Sequence, residues 1–316
     1  MNIVVLCGGV GGAKFLRGVR AHVQATAPRA AITAIVNVGD DMWLTGLRIA
    51  PDLDSVMYAL AGENDEVRGW GRTGESERVS GELRAYGVGW DWFTLGDLDI
   101  GTHLTRTSYL REGLGLTEAT RRISSRWDLG VTLLPATDHE VETHVLVEGG
   151  SMHFQEWWTR HRAAIPALGF ESRGVASAVP APGVLDAIAA ADVILIAPSN
   201  PVVSIGPILE IPGIRAALAG ASARIIGISP IIAGSVVRGM ADACLTAIGV
   251  ETSATAVALH YGARSAGRLL DGWLVDESDR AAVGVLEAAG IAAKAVPLWM
   301  RDVPLSAEIA REALQL

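Results

Sequence analysis

With 316 residues, half of them hydrophobic, the chain has the material for one large α/β domain or two and can bury a sizeable core. Its net charge of -9 and the lack of a basic cluster exclude a nucleic-acid surface, so phosphate binding falls to glycine loops, arginines or a metal, and the expected ligand is small. Two cysteines, Cys7 and Cys244, supply neither a disulfide framework nor a Cys-rich metal site; no apolar run approaches the roughly 20 residues that span a bilayer, and no basic region precedes the first apolar residues, so a cytoplasmic protein with no membrane partner is expected.

The chain opens with a β-branched run, Asn2 to Cys7, followed by Gly8, Gly9, Gly11 and Gly12, and helical spacing begins at Ala13. A strand, a glycine turn and a helix start form a phosphate cradle, because glycine allows close backbone approach and the first N–H groups of the helix point at the anion. Lys14 adds a mobile positive charge, and it is one of only two lysines. The spelling is neither the dinucleotide pattern G-x-G-x-x-G, since position 14 is Lys, nor a P-loop, since Phe15 follows that Lys.

A second buried strand is expected over Ala31 to Val38, ending at Gly39-Asp40-Asp41. A right-handed parallel crossover brings both strand ends to one edge of the sheet, so Gly8 to Gly12 and Asn37 to Asp41 converge. Pro51-Asp52-Leu53-Asp54 stands just ahead of a helical run, Ser55 to Ala61. One carboxylate there reads as a helix cap, but Asp40, Asp41, Asp52 and Asp54 together offer hard oxygen ligands beside a phosphate cradle, the combination Mg²⁺ prefers.

Residues 62–81 are polar and without a period, a surface excursion carrying Trp70. The segment Trp90-Asp91-Trp92-Phe93-Thr94-Leu95-Gly96-Asp97-Leu98-Asp99 leads to His103 and Arg106; its aromatic side chains suit core packing or the flanking of a flat ring. A helix over Thr117 to Arg126 presents a solvated charged face, and Gly130 to Pro135 and Val141 to Val147 read as a strand pair ahead of a helix within Met152 to Arg162. His139, His144, His153 and His161 fall here without metal-ligand spacing.

A second α/β rhythm starts at Ala181: helix Pro182 to Ala190, strand Asp192 to Ala197, then the rigid polar loop Pro198 to Pro207 with Ser199, Asn200 and Ser204 as donors. Strands at Ala223 to Ile228, Trp273 to Val275 and Ala292 to Val296, helix Arg280 to Ala289 and a helix from Ser306 complete a doubly wound sheet with no internal repeat.

The segments GGVGGAK, VNVGDDMWLTGLRIAPDLDSVMYALAG, LGDLDIGTHLTR, SMHFQEWW, APSNPVVSIGPIL and ISPIIAG, in order from near residue 6 to near residue 234, resemble the 2-phospho-L-lactate transferase family of coenzyme F-420 biosynthesis, in its bacterial phosphoenolpyruvate transferase branch. The resemblance implies an α/β, Rossmann-like, doubly wound and mainly parallel sheet with a smaller, mainly helical insertion, commonly as a homodimer. Residues 1–60 and 175–316 would form the core, and residues 61–174 the insertion and acceptor side. The implied reaction, with Mg²⁺ as cofactor, joins the deazaflavin FO to the phospho-acid of a guanosine diphosphate-activated donor and releases GMP. GGVGGAK departs from the proline-containing GGTGTPK of archaeal members, and Leu98 stands where those often carry Arg after LGD.

On this reading Gly8, Gly9, Gly11, Gly12, Lys14, Ser199, Asn200 and Ser204 bind the donor, and Asp52 and Asp54 hold metal or orient the attacking hydroxyl. Asp40 and Asp41 give metal support; Trp43, Thr94, Asp97 and His103 place the acceptor, and Trp43, Trp90 and Trp92 are candidates to flank its ring. Two other functions compete. A non-enzymatic nucleotide-sugar-binding regulator would share the glycine opening and the Ser-Asn-Pro loop, but has no use for PDLD, LGDLD and the tryptophans. An NAD-dependent oxidoreductase is weakened by Lys14 and by aspartates that would repel a pyrophosphate without a metal.

Overall fold

A computed structural model describes residues 1–89 and 91–316, so the aromatic candidate Trp90 lies outside the described residues. The amino-terminal part runs β1 (Asn2–Cys7), α1 (Gly9–Thr26), β2 (Ala31–Val36), a hairpin of β3 (Met42–Leu44) and β4 (Leu47–Ile49), and α2 (Pro51–Ala61). Then come α3 (Arg78–Ala85), α4 (Asp97–Arg111), α5 (Leu116–Ser124), β5 (Thr132–Pro135), and a small antiparallel sheet of β6 (Glu142–Val147), β7 (Gly150–His153) and β8 (Gly169–Arg173). A π-helical turn, Glu156–Arg160, separates β7 from β8.

The second half consists of α6 (Val184–Ala189), β9 (Val193–Ile196), a π-helical turn Pro201–Ile205, α7 (Gly206–Glu210), α8 (Ile214–Gly220) and β10 (Arg224–Ile228). A two-residue hairpin of β11 (Ile231–Ile232) and β12 (Ser235–Val236) precedes α9 (Ala241–Ala247) and α10 (Ala254–Tyr261). The chain finishes with β13 (Gly272–Val275), α11 (Ala282–Ala288), β14 (Ala292–Ala295) and α12 (Val303–Gln315).

Seven strands form one parallel sheet in the order β14-β13-β10-β9-β1-β2-β5. Its strands are buried on both faces, as a helix-covered parallel sheet requires: along β1, Ile3, Val5 and Cys7 enter the core under α1, α2 and α12, while Val4 and Leu6 enter the core on the opposite face. The order reverses between β1 and β9, and the crevice outside their carboxyl ends is where an open α/β sheet binds ligands. Close approach of α12 to α1 depends on Gly18, where a Cβ would lie 2.4 Å from the carbonyl carbon of Ser306.

The sequence expectation for residues 130–147 is corrected in one respect. Thr132–Pro135 does not pair with the next strand; it joins the main sheet beside β2, in register from Thr33↔Thr132 to Val36↔Pro135. Leu133 and Leu134 supply the reason, since they face the two opposite cores and a strand covered on both sides belongs in the parallel layer. The span 61–174 therefore contributes the edge strand of the core sheet as well as three helices and a separate three-stranded sheet. A second correction concerns α2, which begins at Pro51 and not at Ser55; Asp52 and Asp54 lie in its first turn, and neither caps it.

Candidate active site

Three segments meet at the strand reversal. Gly8 is extended at the head of α1, and Gly9 follows at φ +61°, a left-handed conformation that favours glycine. Ser199 braces the turn from β9: its Oγ accepts from Gly8 N at 3.1 Å and donates to Gly8 O at 2.8 Å. Little room remains, because a Cβ on Gly8 would lie 2.4 Å from Asp52 Oδ2, one on Gly11 2.8 Å from Pro198 O, and one on Gly12 2.7 Å from Ser199 Oγ.

Beside this turn, buried Asn37 gathers two carboxylates. Its Nδ2 donates to Asp52 Oδ2 at 2.9 Å and lies 3.1 Å from Asp40 Oδ1, while its Oδ1 accepts from Gly39 N at 2.9 Å. Gln155 Nε2 donates to the other oxygen of Asp40 at 2.8 Å, and Asp52 accepts from the Gly9 N–H. Burial raises Asp40 well above the usual carboxylate range, the Asp52 charge adds to it, and burial pushes Asp52 up to about 6 despite the Asn37 and Gly9 hydrogen bonds. Two buried carboxylates on one amide favour a proton or a cation between them.

A second buried cluster forms around Asp54, two residues further along α2. Arg106 of α4 pairs with Asp54 Oδ1, and its Nη1 stands 3.1 Å from Nδ1 of His103. The His103 ring lies between two carboxylates, with Nδ1 3.4 Å from Asp54 Oδ2 and Nε2 3.4 Å from Asp99 Oδ2. Tyr58 donates to Asp99 Oδ1 at 2.7 Å. Burial raises the Asp54 carboxyl against the pull of Arg106 and His103; burial acts the same way on Asp99, but His103 and Tyr58 outweigh it and its net shift is downward. Asp54 Oδ2 has no hydrogen-bond partner among the described residues, and one ligand atom each from Asp54, Asp99 and His103 lie within 4.8 Å of one another, a group able to take a metal ion. Asp41 is fully buried with Arg48 Nη2 at 3.6 Å, and burial pushes it up to about 8.

Two clefts lie nearby, and one of them opens on the second cluster. One, of about 560 Å³, is lined largely by aromatic and apolar groups, among them Tyr58, Trp92, Phe93 and Trp158, with Asp54, Asp99 and His103 at its floor. The other, of about 530 Å³, runs between α1 and α12 and carries Lys14, Arg17, Arg238 and Arg301 alongside Asp65, Glu66 and Asp302, with Arg17 paired to Glu66 at 2.6 Å, so its basic groups outnumber its acidic ones by one. They share Ser55, Trp70 and Gly71.

The structure thus brings Gly8, Gly9, Asp40 and Asp52 to one point, with Ser204 packed beside Gly8, and Thr94 and His103 to the aromatic cleft. It separates others. Lys14 faces the basic cleft, and Asn200 caps the Pro201–Ile205 turn by accepting from Val202 N at 3.0 Å. Asp97 is exposed and accepts from Ser76 and Leu98 N–H groups at the start of α4, away from the cleft. Trp43, 40% exposed, donates from Nε1 to Glu140 at 2.8 Å and is not among the residues lining either cleft. Asp99, Arg106, Asn37 and Gln155 were not singled out from the sequence as site residues. Two signals were available: all four lie in the family-like segments, and 99, 103 and 106 fall on one face of α4.

The sequence profile of the family described as 2-phospho-L-lactate transferase CofD matches residues 3–296. A protein of Nocardia farcinica named phosphoenolpyruvate transferase is 54% identical over 322 residues, which covers 100% of this chain and 94% of that one. A Streptomyces coelicolor protein of the same name is 54% identical over 320 residues, covering 100% and 98%. Among solved structures, protein BH3568 of Bacillus halodurans, a member of the UPF0052 family, superposes with a TM-score of 0.64 at 21% identity over 99% of both chains, a likeness of fold.

Proposed function

The chain belongs to the 2-phospho-L-lactate transferase CofD family and is a transferase of coenzyme F-420 biosynthesis; on that premise we propose that it moves a phosphoenolpyruvyl group from a guanosine diphosphate-activated donor to the terminal ribityl hydroxyl of FO, releasing GMP. The observation that carries this reading is the meeting, at Ser55, Trp70 and Gly71, of an aromatic cleft that contains Asp54 and a cleft that carries Lys14 and three arginines beside the first turns of α1. An aromatic cleft suits a flat, uncharged ring system, and a basic one suits a diphosphate.

The donor would extend from the glycine turn into the neighbouring cleft that carries Lys14 and Arg238, and the FO ring would lie against Trp92, Phe93 and Trp158. Attack of the ribityl hydroxyl on the phosphorus distal to guanosine forms one P–O bond and breaks the bridging one, and GMP leaves. Such a transfer depends chiefly on positioning and charge stabilisation, which rigid buried groups provide. Asp54, whose Oδ2 is free of hydrogen bonds at the floor of the aromatic cleft, would orient the hydroxyl and accept its proton, while Arg106 fixes the other oxygen.

Of the two carboxylate clusters, Asp40 and Asp52 fit Mg²⁺ better: they offer oxygen donors alone, next to the phosphate cradle, whereas Asp54 is charge-balanced by Arg106 and has an imidazole neighbour. Mg²⁺ held there supplies charge neutralisation on the transferring group. Asp41, with its raised pKa and Arg48 partner, would support that loop. The test is incubation with FO, Mg²⁺ and, in turn, the enolpyruvyl, lactyl and glyceryl donors. A product mass matching FO plus the phospho-acid, with GMP released in equal amount, is expected from the enolpyruvyl donor; no product from any donor overturns the reading.

A further inference from the structure

One side chain belongs to both halves of the site. Gln155 follows β7, is 8% exposed, and lines the aromatic cleft together with Thr159 one helical turn later. Its two ends do different things. Oε1 lies 3.4 Å from Thr159 Oγ1, whereas Nε2 donates to Asp40 Oδ2 at 2.8 Å. From Asp40 the contacts continue through Asn37 Nδ2, at 3.1 Å, to Asp52 Oδ2 at 2.9 Å, and from Asp52 to the N–H of Gly9. A chain of polar contacts therefore runs from the aromatic cleft to the glycine turn through groups that are nearly all buried.

We propose that Gln155 is a positioning residue that couples acceptor binding to donor binding: an acceptor seated against Gln155 and Thr159 holds the Gln155 amide, which holds Asp40, Asn37 and Asp52 in place at the glycine turn. The physical basis is that each member is buried, so letting go of its neighbour strands a polar group without water. The Gln155 amide also has unused capacity on the cleft side. Its weak Thr159 contact occupies one lone pair of Oε1, and one N–H of Nε2 has no partner besides Asp40 among the described residues. A hydroxyl of a bound polyol can take both. The position is fixed from behind, because Gln155 N donates to His153 Nδ1 at 3.1 Å and His153 Nε2 faces Asp41 O at 3.4 Å, tying the segment to the acidic loop twice.

This inference rests on the proposed acceptor and donor sites, and the experiment separates the two. Binding of GDP, as the donor stand-in, is measured by calorimetry with Mg²⁺ in the absence and presence of saturating FO, for the wild-type chain, for Gln155→Met, which keeps the volume without hydrogen bonds, and for Gln155→Asn. The wild type is expected to bind GDP at least about fivefold more tightly when FO is bound, and by linkage FO more tightly by the same factor when GDP is bound. In Gln155→Met the factor falls below about twofold and FO alone binds more weakly through loss of the amide contact, while GDP alone binds within about threefold of wild type; Gln155→Asn recovers part of the factor. A side chain with a merely structural role would lower both separate affinities and leave the factor intact, and that result overturns the proposal. So does a wild type that binds both ligands independently. Failure of the wild type to bind FO or GDP at all removes the functional reading and the coupling with it.

Discussion

Arg106 and Asp54 form an ion pair in which both side chains are almost wholly removed from water. Removing one partner of such a pair leaves an uncompensated buried charge, whereas replacing both by apolar groups is often close to neutral. Arg106→Leu is therefore expected to lower unfolding free energy by about 3 to 5 kcal/mol, and the Arg106→Leu, Asp54→Leu double variant to recover most of it. Urea unfolding monitored by circular dichroism checks this; a double variant as unstable as the single one would show that Arg106 acts through other contacts.

Asp54→Asn keeps the shape and one acceptor for Arg106 while removing the carboxylate. Turnover is expected to fall at least about tenfold with the fold retained, a floor set below the roughly 10²- to 10⁴-fold that a positioned proton-transfer group contributes. Steady-state GMP release with a circular dichroism control decides it, and an active variant removes Asp54 from the chemistry.

Asp41 gives the fold a pH dependence of definite sign. Burial raises its pKa from the ordinary 3.8 to about 8. Below 3.8 the folded and unfolded chains both hold the proton and the group contributes nothing to the difference. Between 3.8 and about 8 the folded chain keeps a proton that the unfolded chain has lost, so stability falls as pH rises through this window and levels off above it. The urea midpoint is expected to drop from pH 5 to pH 8 in Mg²⁺-free buffer, and Asp41→Asn to reduce that slope, the remainder coming from Asp40, Asp52 and Asp54, which burial also raises. Equal slopes for the two proteins would exclude Asp41 as the source.

Ser199 holds the glycine turn by two hydrogen bonds to Gly8. Ser199→Ala strands the buried Gly8 N–H, a loss of about 1 to 3 kcal/mol. Part of this is expected as a lower melting temperature and part as weaker GDP binding; normal GDP affinity would reduce the loop to scaffolding. Gly8→Ala, whose methyl would collide with Asp52, is expected to abolish GDP binding.

The aromatic cleft predicts an optical signal. Titration with FO is expected to quench tryptophan fluorescence, and Trp158→Ala to raise the KM for FO by about two- to tenfold, the worth of one aromatic pair, with the donor KM unchanged. An unchanged emission spectrum at saturating FO would place the ring elsewhere.

Local signals carried the layout of the sheet. β-branched runs such as Asn2–Cys7 and Val193–Ile196, punctuated by glycine, proline and aspartate, mark buried parallel strands because both faces of the sheet are covered. The same logic misfiled Thr132–Pro135, a four-residue edge strand whose partner, β2, lies almost a hundred residues earlier. Short polar exposure at one end looks the same in an edge strand as in a hairpin, and only the packing of Leu133 and Leu134 on opposite faces distinguishes them.

The candidate site divides along the same line. Composition and motif spacing determined that glycine, aspartate and serine loops gather at one edge, since a right-handed crossover leaves no other place for the ends of β1 and β2. Which aspartate faces which partner was decided only by the tertiary structure. Asp97 and Asp99 are two residues apart on α4, yet one accepts from Ser76 in solvent and the other is buried against Tyr58 and His103, because residues two apart on a helix point about 200° apart. Asn37, Gln155 and Arg106 stand within the segments that carry the family resemblance, but nothing in their spacing gives them a role. Each acquires its place because a buried carboxylate brought to it by the fold needs a donor, and that need arises only once the chain has closed around it.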